Sequence, residues 1–220
     1  MPTSTFFRLP QEKRQRLVDA AWEEFSADSF AQASINQIVH RARIPRGSFY
    51  QYFSDKEDLF WYLMGEMREY FIRALREELL EVEGDLFALP LKVYDRFVGR
   101  QGAFDPVFSR FVQVMRLNQG MDFQHCLASK AEQMMPESLA QCVRTEELKR
   151  GDRAFAENIF FLTMAILAFA IMETLRDPEQ RDGQRRLLED RVEIVRAGGT
   201  ARRNAAGEAP EQCFKGGDPC

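Results

Sequence analysis

Apolar residues recur along this chain at intervals of three and four, and no stretch of any length alternates with the period of two that a half-buried strand needs. The pattern predicts an all-α protein. Leu17, Val18, Ala21, Trp22 and Phe25 share one face of a first helix, from near Pro10 to near Ser26. Ile35, Ile38, Val39 and Ala42 form the stripe of a second helix about two turns long, and Ser34 with Gln37 fits a capping box at its start. Pro45 suits the first turn of a third helix, where its missing N–H has no intrahelical partner anyway. Phe49 and Phe53, four apart, bury together on one side of it. Ser54-Asp55-Lys56-Glu57 fits another capping box and opens a fourth helix. Its stripe runs from Leu59 through Met67 to Leu75 and on to about Leu80, before Gly84-Asp85 breaks it.

Beyond the break, Asp105-Pro106 starts a helix with Phe108, Phe111, Val112 and Met115 behind it. Gly120 interrupts, and a further helix is predicted through Met134 and Met135 to about Leu148. After a loop at Gly151-Asp152 comes a long helix around Ile159–Met172, ending near Asp177-Pro178, and a last one over about 185–197. The pattern thus divides the chain into a three-helix head (8–53), a connecting helix (54–84) and a helical body (85–198). Residues 199–220, rich in Gly, Pro and Ala and without periodicity, are expected to be a disordered tail.

Charge changes this picture in one respect. The net charge is −4, but residues 8–56 hold eight Lys/Arg against six Asp/Glu, a net of +2, and the remainder holds 22 against 28, a net of −6. A mildly basic head on an acidic body suits an anionic partner at one end only. Other classes fall away. "MPTSTFFRLPQEKRQ" has no apolar h-region, so no secretory signal is expected. The longest apolar run, Ile159–Met172, is 14 residues, where a bilayer takes about 20. Four cysteines at 126, 142, 213 and 220 form no C-x-x-C pair, and there are only two histidines, so no metal site is expected. With no Ser/His/Asp set and no Gly-rich phosphate loop, neither catalysis nor a cofactor is expected. The protein is expected to be soluble, cytoplasmic and nucleoid-associated.

The stretch "RIPRGSFYQYFSDKEDL" carries the chemistry. It packs four rings into five residues beside an arginine, a glycine and a lysine, a mixture that suits neither a core nor a plain surface. Two short helices joined by a tight turn form a helix-turn-helix, which presents the N-terminal part of its second helix to the DNA major groove. On that reading Phe49 and Phe53 anchor the helix, while Arg46, Ser48, Gln51 and Tyr52 face outward. Gly47 lets the backbone come close, and Tyr50 and Tyr52 offer hydroxyls to phosphate. Lys56 sits in a helix's first turn, where the dipole disfavours a cation by about 0.3–1 kcal/mol. A bound phosphate at that N-terminus accounts for it.

Over Arg16–Leu63, "RLVDAAWEEF" and "SINQIVHRARIPRGSFYQYFSDKEDLF" resemble the tetracycline-repressor (TetR) family of bacterial regulators. The run Gly47-Ser48-Phe49-Tyr50, then Tyr52-Phe53, Lys56-Glu57 and Leu59, is specific for it. The resemblance implies that Arg46, Gly47, Ser48, Gln51 and Tyr52 face the groove, that Asn36 and Gln37 reach bases or backbone, and that Ser34, Tyr50 and Lys56 contact phosphate. It also implies a homodimer on a palindromic double-stranded operator, with the last two helices at the interface and a ligand enclosed by the body. The chain departs from the family with Ser29 after the first helix and with Ala42-Arg43 in the turn, where glycine is common.

Phe and Met crowd the body. Phe104, Phe108, Phe111, Met115, Phe123, Met134, Phe160 and Met164 are the candidate lining of a site for a small apolar or aromatic ligand, against the plainer alternative that they are core. The helix around Ile159–Met172, apolar on all sides, needs a second cover, and Ala168 and Ile171 are candidate dimer contacts. The functional expectation is a ligand-released repressor. The alternative is an architectural or cell-division DNA-binding protein of the same fold, controlled by a protein partner.

Overall fold

The computed structural model describes residues 1–99, 104–121 and 135–200, and among them the regular structure is helical. A one-turn helix, α1 (Ser4–Phe7), precedes α2 (Gln11–Ala27), α3 (Ile35–Ala42) and α4 (Arg46–Tyr52). The connecting helix α5 (Lys56–Glu81) leads to α6 (Leu89–Val98) and α7 (Pro106–Leu117). Then come α8 (Glu137–Ala140), α9 (Arg153–Arg176) and, after a 3-10 turn at Pro178–Gln180, α10 (Arg181–Gly199).

The chain builds two cores that share α5. In the head, Leu17, Ala21 and Phe25 of α2, Ile38 of α3, Phe49 and Phe53 at α4, and Leu59, Phe60 and Leu63 of α5 are buried together. These are the stripes read from the sequence. In the body, α5 packs against α6, and α6 against α9 and α10. Asp105 and Asp152 start α7 and α9 by accepting from the N–H groups of Phe108 (2.8 Å) and Phe155 (3.0 Å). The Asp95 carboxylate takes a two-pronged hydrogen bond from Arg185 at 2.8 and 2.9 Å, which fastens α6 to α10.

Several expectations need correcting. Neither capping box forms as drawn. Ser34 makes no side-chain cap; its N–H donates instead to Glu24 Oε1 at 2.8 Å. The cap of α5 is Asp55, not Ser54: Asp55 accepts from Asp58 N–H at 2.7 Å, and Asp58 reaches back to Ser54. Among the described residues, the helix expected to run to Leu148 stops at Ala140, after which the chain turns back so that Arg144 N–H meets Gly84 O at 3.1 Å. Helices α1 and α6 were not foreseen, because one turn shows no period and α6 starts at Leu89-Pro90 without a polar cap. Residues 199 and 200, expected to open the tail, belong to the fold: Gly199 is buried, its carbonyl accepts from Lys149 N–H at 2.7 Å, and Thr200 bridges to Leu148. Residues 201–220, Phe123, Met134 and Cys126 lie outside the described residues.

The break at Gly84 has a specific reason. Its φ is +81°, and a Cβ there would lie 2.5 Å from Cys142 O and 2.7 Å from Arg144 N, both backbone atoms that cannot swing aside. Gly84→Ala should therefore destabilise the body by about 1–3 kcal/mol or more through strain and overpacking. The check is the denaturant midpoint; a midpoint equal to the parent's contradicts the packing described at this turn.

Candidate nucleic-acid interface

The candidate surface is built on two helices too short to stand alone. Helix α3 ends at Arg43, which takes the left-handed conformation (φ +54°, ψ +47°) that usually falls to glycine. Ile44 N–H closes the turn onto Val39 O at 3.0 Å. The arginine at the departure from the family pattern thus adopts the backbone a glycine would, and α4 follows in the expected place.

Glu24 of α2 holds α3 from beneath. Only 3% exposed, it takes Ser34 N–H on one oxygen and the Arg41 guanidinium on the other, so it ties both ends of α3 to α2. A buried carboxylate needs such partners, since an unpaired one is costly. Helix α4 is pinned by Phe49 and Phe53, both fully buried.

What remains outside is one polar face. Asn36, Gln37, Arg46, Gly47, Tyr50 and Gln51 are exposed, and Ser34 and Ser48 half-buried. Arg46 Nη1 donates to Asn36 Oδ1, which links α4 to α3, and Arg46 Nη2 lies 3.4 Å from the Tyr50 hydroxyl. A Cβ on Gly47 would meet nothing within 4 Å. The fold itself does not require glycine there, although glycine in a helix interior costs roughly 0.5–1 kcal/mol relative to alanine.

Two predicted contacts are placed differently. Tyr52 is 9% exposed and packs on Phe6 of α1, ring centroids 6.4 Å apart, so it does not face a groove. The helix that covers it is the one-turn element the sequence pattern could not show. Lys56 does not point into solvent. Its ammonium donates to Phe30 O (2.6 Å), Ala33 O (2.8 Å) and Ala31 O (3.3 Å), and sits 4.7 Å from the Phe30 ring centre. All three of its donors serve the loop before α3. The unfavourable position in the first turn is thereby explained from inside the molecule, without an anion. Nearby, burial alone would raise the Asp58 carboxyl, but the chain's amino terminus and the Ser54 N–H and hydroxyl hold it below the usual carboxylate range.

The sequence also missed Asn118, at the end of α7. It is buried, accepts from Phe30 N–H at 2.7 Å and donates to Val114 O at 2.8 Å. Val114 itself is fully buried in the head core, and Phe111 and Met115, expected to line a ligand site, pack against that core. Helix α7 is shared between head and body because apolar residues occupy two of its faces. On its other face Phe108, with Phe104 just before the helix, joins Phe71 and Phe97, with centroids 5.3–6.4 Å apart between the contacting rings. Phe160 is buried in the body core and Met164 packs on it. Burial raises the Tyr70 hydroxyl above its ordinary pKa, together with the Asp105 carboxylate it donates to at 2.9 Å beside these rings.

On α9, Ile171 is 8% exposed and belongs to the chain's own core, so it is not available to a partner. Ala168 is exposed, and beside it Phe161, Leu162, Phe169 (52%) and Met172 (61%) form an uncovered apolar face. Ile194 of α10 is 74% exposed.

Residues 17–63 match the family model described as bacterial regulatory proteins, tetR family. The uncharacterized HTH-type transcriptional regulator YdgC of Bacillus subtilis (strain 168) is 40% identical over 73 residues, 33% of this chain and 37% of that protein. Transcriptional regulator AcuR of Cereibacter sphaeroides is 32% identical over 108 residues, 49% of this chain and 48% of that protein. The chain spans about half or less of the length of these curated relatives. Among solved structures, a tetR family transcription regulator from Shewanella sp. PV-4 superposes with a TM-score of 0.57 at 17% identity, over 88% of this chain and all of that one, a likeness of fold. These relatives are regulators, as the sequence suggested, and not enzymes.

Lys56→Gln should lower the stability of the head by about 1.5–3 kcal/mol, the value of charged hydrogen bonds, whereas Arg46→Ala on the exposed face should leave it within about 0.5 kcal/mol. Thermal melting of the two variants separates the roles. Equal melting temperatures would contradict the assignment of Lys56 to the loop.

Proposed function

We propose that the chain, whose head is similar to the tetR family, is a transcriptional regulator that binds a palindromic operator as a homodimer. Repression, relieved by a small apolar or aromatic ligand, is the mode inferred. The observation that carries the reading is the exposed face of Asn36, Arg46, Tyr50 and Gln51, set around a glycine that nothing in the fold requires. A side chain at Gly47 would touch only an outside body, so a close partner accounts for its absence. Arg46 suits guanine edges, Asn36 and Gln51 suit adenine, and Tyr50 and the half-buried serines suit phosphate. Two such faces about 34 Å apart match one turn of DNA.

Binding should weaken steeply with salt. Arg46→Ala should cost about 1–3 kcal/mol and relax sequence preference. Gly47→Ala is the sharper test: it should raise helix stability by roughly 0.5–1 kcal/mol while weakening DNA binding. Melting curves and gel shifts on a duplex selected from a random pool read the two effects. A more stable variant that binds DNA as tightly as the parent contradicts the placement of this face.

The dimer reading rests on the uncovered face of α9. By length and composition α9 passes for a membrane span, and 39% of its most apolar window is buried within the molecule, which leaves the rest for a further cover. Phe169→Glu or Met172→Glu should yield folded monomers with weaker operator binding, because a second half-site contact is no longer intramolecular. Sedimentation and gel shift check it; dimers at parental concentration in both variants contradict this face. The ligand would have to part the rings of Phe71, Phe97, Phe104 and Phe108, which pack against one another. A regulator answering to a protein partner needs no such opening, and a thermal-shift screen with apolar and aromatic compounds separates the two.

A further inference from the structure

The last carbonyls of a helix have no partner within it, and in a seven-residue helix they are most of the helix. Two of those at the end of α4 are satisfied from far upstream. Thr3 N–H donates to Tyr52 O at 2.9 Å, and the Thr3 hydroxyl donates to Gln51 O at 2.6 Å. Just behind Thr3, the fully buried ring of Phe6 sits between Phe53 (4.8 Å between centroids), Tyr62 (5.2 Å) and Tyr52 (6.4 Å). One short segment therefore grips the C-terminal end of α4 twice, by caps outside and by a ring inside.

We propose that residues 3–6 are a brace that keeps the last turn of the reading helix formed and oriented, with Thr3 as a positioning residue for operator recognition. This rests on the DNA-binding reading given above. The hydroxyl of Thr3 holds the backbone carbonyl of Gln51, which is itself a candidate base contact, so loss of the cap acts directly on the presentation of that side chain. Thr3 is exposed and buries no core. Its side chain does not cap α1 either. The hydroxyl therefore has one structural task, and Thr3→Val removes that task while keeping shape.

The test uses the full chain and three proteins: parent, Thr3→Val and Thr3→Ser, which keeps the hydroxyl. Amide hydrogen exchange is followed at Phe53, whose N–H closes α4 onto Phe49 O at 2.9 Å. Affinities are measured for the palindromic duplex the parent selects from a random-sequence pool, and for a random duplex of equal length. In Thr3→Val, exchange at Phe53 should quicken about three- to tenfold, the value of one hydrogen bond. The ratio of selected to random affinity should fall in step, and Thr3→Ser should match the parent in both. A general loss of folded protein lowers both affinities alike and leaves the ratio unchanged. Unchanged exchange in Thr3→Val, an unchanged ratio, or failure of Thr3→Ser to restore both overturns the proposal. A parent without sequence-selective binding overturns the DNA-binding reading instead, and the exchange measurement then decides whether the brace exists.

Discussion

A helix of seven or eight residues does not hold its shape in water, since isolated helices shorter than about 12–15 residues are marginal at best. Helices α3 and α4, which carry the candidate DNA contacts, are both that short, and the head is organised around supplying from outside the order they lack. Phe49 and Phe53 plug α4 into the core between α2 and α5. Glu24 supplies the N-terminal amide of α3 with an acceptor and holds Arg41 near its other end. Lys56 gathers three carbonyls of the loop in front of α3. Glu24 and Lys56 are charged groups that satisfy backbone at and before the start of α3, which no helix can satisfy from within itself.

The same constraint makes the head depend on the body. The loop between α2 and α3 is held from two sides, by Lys56 on α5 and by Asn118 at the end of α7. Both helices continue into the body core, where Phe71 of α5 and Phe108 of α7 are in ring contact at 6.0 Å. Val114, fully buried among head residues although it belongs to α7, shows that the boundary is not a hinge of loose chain. The loop at Phe30 is held jointly by α5 and α7, so a change in the angle between these helices acts on it.

This organisation decides what could be read in advance. The stripes of α2, α3 and α5 were legible because burial on one face repeats with the helical period, and most of each stripe is buried, with Val18, Ile35, Phe71 and Leu75 partly so. Asp105 was legible as a helix start because a cap is a local event, whereas Asp152, read as part of a loop, proves to be the cap of α9. The misplaced residues are those whose partners are distant in the chain. Lys56 reads as a cation in the wrong place until the carbonyls 23 and 26 residues before it come into view. Tyr52 reads as a groove-facing phenol until α1 covers it. Glu24, a carboxylate among Ala21 and Phe25 on the inward side of α2, was a usable sign of a buried ionic partner. Nothing comparable marked Thr3 or Asn118.

Helix α9 shows a different limit. Periodicity locates a buried face only when the other face is polar, and around Ile159–Met172 there is no polar face to contrast. The pair Ala168 and Ile171 could not be sorted by pattern, and the structure sends them opposite ways, Ile171 inward and Ala168 outward. The inward side is protein core: Thr163 and Thr174 lie on it fully buried, their hydroxyls returned to backbone carbonyls of the same helix. The outward side has Phe161, Leu162, Phe169 and Met172 along the middle half of the helix, more contiguous apolar surface than scattered exposure explains. Arg191 of α10 lies 5.1 Å from the Phe169 ring, which shields one edge and leaves the face open. On the dimer reading proposed above, a twofold axis would bring this row of one helix against the same row of a second copy, so that each residue meets an apolar one.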